Sequence, residues 1–322
     1  MKPHSLWRPR ASLSTLRARA DLYARLREFF AERGVLEVET PVLSQAATVD
    51  PNIDSYVSQN HRWLQTSPEF PMKRLLAAGS GPIYQIARVF RCDEAGRFHN
   101  PEFSLLEWYR PGFDHLQLMD EIEALFATLG VVNPAPFERL TYRAAFQRYA
   151  GLDSHAARLE DLQAACRALP GGMPEPPESD WEAQRNFYLD LLMSAVVSPR
   201  LGAEAPVFLL DFPASQAALA RVRADTPPVA ERFELFWHGI ELANGFHELS
   251  DAGEQRRRFE HDRARRIAAG RVAPPYDAHL ISALHHGFPD CAGVALGLDR
   301  LLMRLLGFDN VGDTLAFDDA RA

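Results

Sequence analysis

The sequence predicts an α+β fold, an antiparallel β-sheet flanked by helices. Strand-like runs come in clusters separated by helices, without the steady βαβ rhythm of a parallel sheet. His238-Gly239 sits between the apolar runs "RFELFW" and "IELANGF" and marks a hairpin turn. With 322 residues, 47% hydrophobic and 24% charged, the chain can bury a sizeable core.

The elements follow in order. From Ser14, "STLRARADLYARLREFFAERG" repeats Leu16, Ala20, Tyr23, Leu26 and Phe30 at threes and fours, an amphipathic helix closed by Gly34. "VLEVETP" is a short β-rich run stopped by Pro41. A polar loop with Asp50, Pro51 and Asn52 leads to "RWLQT". "SPEFPMKRLLAAG" reads as a capped helix ending at Gly79, "PIYQIARVF" as a strand, and Gln117 to Leu129 as a helix. The stretch 142–200 is mostly helical in pattern and is expected to be an insertion within a single domain spanning 1–322. Its break, "LPGGMPEPPESD" from Leu169 to Asp180, is expected to be an exposed connection. "VFLLDFP", the two runs around His238-Gly239 and "AGVALGLD" supply the remaining strands. There is no internal repeat.

Charge and cysteine usage exclude some classes. A net charge of -8 gives no global basic field for nucleic acid, although a local basic patch is compatible with it. Cys92, Cys166 and Cys291 are far apart and show no C-x-x-C spacing, which argues against a structural zinc site and for a reducing compartment. The start, "MKPHSLWRPRASLSTL", lacks the apolar run of a signal peptide, and no stretch approaches a membrane span. A cytoplasmic location with no membrane partner is the expectation.

Three constellations carry chemistry. The first is "VFRCDEAGRFHNPEFSLLEWYRP", Val89 to Pro111. Strand alternation places Phe103, Leu105, Glu107 and Tyr109 on one face. An aromatic, a carboxylate and a phenol there can line a pocket in which the ring stacks and the carboxylate receives a cation. Arg91 ends the preceding strand, and the loop adds Asp93, Arg97, His99 and Asn100. Arginine offers paired donors to phosphate. A hairpin with a solvated tip would explain any one of these residues, but not the cluster.

The second is "GIELANGFHELSD", where Glu241 and Glu248 flank Asn244-Gly245. Carboxylates near a phosphate site hold Mg2+ through hard oxygen ligands. Their odd spacing of seven requires a bulge or bend near Gly245. By spacing alone, two unrelated surface glutamates would be the better reading. The third is "GVALGLDRLLMRLLG". Gly297 ends a strand, and Asp299 and Arg300 fall in the first turn of a helix. Arginine opposes the positive end of a helix dipole, and a bound anion would explain its place. His285-His286 reads as surface, Cys166 as core, and the arginine-rich segment 254–271 as a solvated helix or a docking surface for an acidic protein.

Together these motifs resemble those of class II aminoacyl-tRNA synthetases. "RGVLEVETPVLS" resembles their first motif, "FRCDEAGRFHNPEFSLLEW" the second and "GVALGLDRLLM" the third. "TSPE", "HNPEF", "EWYRP" and "IELANGFHEL" narrow the likeness to the lysyl-tRNA synthetase branch. No room for an N-terminal OB-fold anticodon-binding domain is expected before the first helix. That, together with "FPASQAALA", resembles the short paralogues of the branch, which attach (R)-β-lysine to a lysine of translation elongation factor P.

The resemblance implies a class II catalytic fold, ATP and Mg2+ as cofactors, elongation factor P and (R)-β-lysine as partners, a homodimer formed through the first motif, and no tRNA. It places Arg91, Cys92, Asp93, His99, Asn100, Phe103, Glu241, Leu242, Gly297 and Arg300 at ATP. Arg91 and Arg300 would be catalytic, and Phe103 would stack on adenine. Ser67, Pro68, Glu69, Glu107, Tyr109, Glu248 and Ala295 would contact the amino acid. Glu241 and Glu248 would hold Mg2+. "RCD" departs from the usual Arg-Asn-Glu, and Ala295 stands where lysyl-tRNA synthetases have Gly. A truncated synthetase acting on tRNA, a ligase for a small amine and an inactive regulatory paralogue are the alternatives; intact Arg91, Glu241, Glu248 and Arg300 argue against the last.

Overall fold

A computed structural model of the chain describes residues 6–322 except 132–134, 171, 173, 175 and 177–179. Half of the expected connection at 169–180 therefore lies outside the described residues.

Helix α1 (Leu13–Glu32) starts at Ser12, whose side chain accepts from the Thr15 N–H. Its buried stripe is Thr15, Leu22, Leu26, Phe29 and Phe30. Leu26 and Phe30 were expected; Ala20 is exposed and Tyr23 only half-buried, because the stripe turns toward Leu22 and Phe29. Strands β1 (Leu36–Glu37), β2 (Leu43–Ser44) and β3 (Trp63–Leu64) are short. Helix α2 (Glu69–Ala77) follows, with Ser67 accepting from the Glu69 N–H at 3.0 Å. Next come β4 (Ile83–Phe90), β5 (Glu102–Pro111), α3 (His115–Thr128), β6 (Glu138–Thr141), α4 (Tyr142–Ala150), α5 (Leu159–Arg167) and α6 (Trp181–Leu192). Strands β7 (Val207–Pro213), β8 (Val222–Arg223), β9 (Val229–Trp237) and β10 (Ile240–His247) lead to α7 (Ala252–Ala268), α8 (Ala278–His286), β11 (Cys291–Gly297) and α9 (Leu298–Leu305).

The chain divides into two compact units. The first comprises Met1–Gly112, Ala124–Val132 and Ser250–Ala322; the second comprises Phe113–Glu123 and Asn133–Leu249. In the first unit the strand order is β1-β4-β5-β11. Pairs β4–β5 and β5–β11 are antiparallel, whereas β1–β4 is parallel. In the second unit the order is β10-β9-β7-β6, with β8 also on β9. Here β6–β7 is parallel and the other pairs are antiparallel. The fold is α+β as expected, with two parallel pairs as departures from a purely antiparallel sheet. Both have one cause: a parallel return needs a crossover, supplied by α2 between β1 and β4 and by α4–α6 between β6 and β7.

Each unit has its own core. In the first, Phe30 stacks on Tyr84 at 4.3 Å between centroids and meets the Trp108 edge at 5.5 Å. In the second, Tyr142, Phe146, Tyr188, Leu189, Leu209 and Phe236 are buried around the helices that follow β6. The hairpin turn lies where the sequence placed it, with His238 and Gly239 both at positive φ (50° and 72°).

Candidate active site

Register builds the site of the first unit. Glu107 of β5 lies directly opposite Ala295 of β11, and Gly297 opposite Leu105. Phe103 and Ala295 pack beside Ala87, Val89 and Leu105. Glu107 is only 2% exposed. Ser67 Oγ donates to its Oε2 at 2.6 Å, and the Tyr109 hydroxyl to its Oε1 at 2.7 Å. Burial, and then the charge of Glu69, push the Glu107 carboxyl up to about 8. Glu69 itself accepts from Lys73 Nζ at 2.6 Å. Lys73, a buried ammonium at 2% exposure, was not singled out in the sequence; its i,i+4 spacing from Glu69 on a helix was the available signal. Ser67, Glu69, Glu107, Tyr109 and Ala295 are thus brought together, and Pro68 caps α2.

The loop between β4 and β5 is tied down at several points. The Arg91 N–H donates to the Pro101 carbonyl at 2.9 Å, and its guanidinium lies 5.1 Å from the Phe103 ring centroid. Glu94 is a loose partner of Arg91 at 3.8 Å, and Arg91 Nε is buried without a hydrogen-bond partner among the described residues. Cys92 is half-buried, its N–H donates to the Asp54 carbonyl, and burial pushes its thiol up. Asp93 sits at φ 60°, in the left-handed region. Arg97 fixes the loop by donating to the Asp309 carbonyl and carboxylate. The Asn100 amide donates to the Glu102 carbonyl, and its oxygen accepts from the Asp319 N–H.

Helix α9 starts at Gly297. Asp299 is buried, accepts from the Ser104 N–H at 2.7 Å and pairs with Arg19 at 2.5 Å, so it joins α9 to β5 and α1. Arg300 donates to the Phe98 carbonyl at 3.1 Å and approaches His99 Nε2 at 2.6 Å. Arg300 and His99, from the third and second motifs, are therefore neighbours.

Glu241 and Glu248 belong to the second unit. The expected bulge exists but not near Gly245: pairing steps from Glu241↔Phe236 to Ala243↔Leu235, which leaves Leu242 as the extra residue. That puts Glu241 on the face of Asn244, and the alternation then continues toward Glu248. Gly245 has a different reason: a Cβ there would lie 2.3 Å from the Phe233 ring. Glu248 is 1% exposed and follows β10, beside Ala220. Glu234 is buried and paired with Arg232 at 2.5 Å; burial, and then the charge of Glu241, push its carboxyl up to about 7.

The arginine-rich segment is not wholly a solvated face. Arg266 is 2% exposed and donates to the Asp50, Ile53 and Val272 carbonyls, while Arg271 pairs with Asp54 at 3.2 Å. Arg256, Arg257 and Arg263 remain exposed. His285 and His286 are exposed and Cys166 is buried, as expected. Nothing in the sequence pointed to His115, Glu231 and His247, whose ligand atoms lie within 4.8 Å of one another in the second unit. Their separations in sequence carry no motif.

This chain belongs to the class II tRNA synthetases (D, K and N), whose family pattern matches residues 3–321. Among curated proteins it is similar to the elongation factor P–(R)-β-lysine ligase of Vibrio vulnificus, 48% identical with 97% of each chain covered. It is likewise similar to the ligase of that name from Vibrio cholerae, 48% identical over 99% of each, and to that of Salmonella arizonae, 46% identical over the full length of both. No helix among the described residues is long and apolar enough to cross a membrane.

Proposed function

We propose that this chain is an ATP-dependent, AMP-forming ligase that activates (R)-β-lysine as an acyl-adenylate and transfers it to a lysine side chain of translation elongation factor P. Relatives of that activity align along the whole chain. The observation that carries the site is Glu107: a buried carboxyl held by Ser67 and Tyr109, raised to about 8 and facing Ala295. Such a group is poised for a cation, because an ammonium beside it would restore its charge. Within the first unit, Glu69, Glu107 and Tyr109 take the amino groups of the substrate, and Ala295 bounds the pocket.

Arg91 grips the α-phosphate and the substrate carboxylate; its Nε, without a hydrogen-bond partner among the described residues, and the facing Phe103 ring suit an anion beside a stacked adenine. Asp93, His99 and Asn100 complete the nucleotide contacts, with Gly297 beside them and Arg300 on the distal phosphates. In the second unit, Glu241 and Glu248 would hold Mg2+, whose charge would offset that of phosphate. The charge of Glu241 helps push up the Glu234 carboxyl, a crowding that a bound cation would relieve.

The substrate carboxylate oxygen bonds to the α-phosphorus and pyrophosphate leaves. A lysine amine of the acceptor then bonds to the acyl carbon and AMP leaves. Positioning and charge neutralisation supply the rate enhancement. The enzyme acts in the cytoplasm, as a single catalytic domain that forms a homodimer, and does not charge tRNA. ATP–pyrophosphate exchange driven by (R)-β-lysine tests the first step. Arg300→Ala and Arg91→Ala should each lower it about 100-fold or more. Near-normal exchange in a folded variant would refute the assignment.

A further inference from the structure

Within the second unit, His115 of α3, Glu231 of β9 and His247 of β10 converge, each with one ligand atom within 4.8 Å of the others. They come from three separate elements, so the convergence is tertiary. His115 is 3% exposed, and its Nδ1 is buried with no hydrogen-bond partner among the described residues. An orphaned buried nitrogen is costly unless something occupies it. His247 Nδ1 lies 2.6 Å from Glu231 Oε2, and the two imidazoles stack at 6.3 Å. Arg223 approaches Glu231 only at 3.6 Å, and it is shared with Asp225 at 2.8 Å and Asp211 at 3.1 Å. The guanidinium therefore does not neutralise Glu231 alone.

We propose that His115, Glu231 and His247 form a divalent transition-metal site, of the class that takes Zn2+. Two imidazoles and one carboxylate are the donor set that borderline ions favour over Mg2+, which prefers all-oxygen shells. The ion takes the place of the proton shared by His247 and Glu231 and satisfies the orphaned His115. Zn–N and Zn–O bonds of roughly 2.0–2.2 Å require ligand atoms about 3.5 Å apart, so His247 and Glu231 spread from their 2.6 Å contact to admit the ion while His115 closes on it. The ion clips the start of α3 to β9 and β10 and holds the end of β10 next to Glu248. This site is independent of the nucleotide chemistry proposed above.

The test is equilibrium dialysis of the full chain against Zn2+ in a large excess of Mg2+, which occupies carboxylate-only sites, with bound zinc read by elemental analysis. Wild-type protein should retain a single Zn2+ per chain. The variants H115Q and E231Q should each lose it while circular dichroism stays unchanged. If one variant fails to fold, the other decides, and Co2+ titration of the wild type should show the intense visible bands of a four- or five-coordinate ion. Absence of retained zinc in the wild type, or retention unchanged in a folded variant, overturns the proposal.

Discussion

Glu107 concentrates the chemistry of the proposed amino-acid pocket in one side chain. Its carboxyl titrates near 8 when folded, against about 4.3 when unfolded. Between those values the folded chain holds a proton that the unfolded chain has released. Stability therefore falls as pH rises through that window and is insensitive to this group below and above it. Glu107→Gln removes the titration while keeping the shape. From urea unfolding at pH 5 and pH 9, the variant should gain in stability relative to the wild type as the pH rises across the window; parallel curves would contradict this. A bound ammonium reverses the shift, so calorimetry at pH 7 in buffers of different ionisation enthalpy should record proton release when (R)-β-lysine binds. Ala295, opposite Glu107, is the second control point. Ala295→Gly should raise α-lysine over β-lysine in pyrophosphate exchange by roughly 1–3 kcal/mol; an unchanged ratio of kcat/KM values would place selection elsewhere.

At the scale of the element, β10 explains what the sequence could and could not reveal. Its turn was legible because His238-Gly239 is a local signal. The need for a bulge was legible too, because seven is odd. Its location was not: the bulge falls at Leu242, and a side chain's place in a ladder depends on the partner strand. Gly245 suggested a bulge but serves the Phe233 ring, a contact between strands. Gly245→Ala should therefore destabilise by about 1–3 kcal/mol through overpacking, read as a lower denaturant midpoint, and Phe233→Leu should restore part of the loss. No change on Gly245→Ala would refute the packing account. The second and third motifs were legible for the same reason as the turn, since each joins a strand end to its loop or helix. Lys73 was missed because a lysine on an amphipathic helix looks solvated until its burial is known. His115, Glu231 and His247 were illegible because only the fold brings them together.

Across the whole molecule, the first motif leaves apolar side chains uncovered in the first unit: Leu36, Val42 and Leu43 are 41–57% exposed. Such a patch suits the proposed dimer contact. Leu43→Glu should lower the mass measured by light scattering from dimer to monomer; a wild type already monomeric at micromolar concentration would refute the interface. The central claim concerns the acceptor. With a net charge of -8, the chain has no long-range field for gathering an RNA backbone, whose phosphate contacts dominate affinity. A folded protein that offers a lysine amine needs no such field. The direct measurement incubates enzyme, ATP, Mg2+ and (R)-β-lysine with elongation factor P, and in parallel with total tRNA. Intact-protein mass and RNA charging are then read together. The factor should gain the mass of a single β-lysyl group while the tRNA stays uncharged; charged tRNA with no mass gain on the factor would refute the assignment of the acceptor.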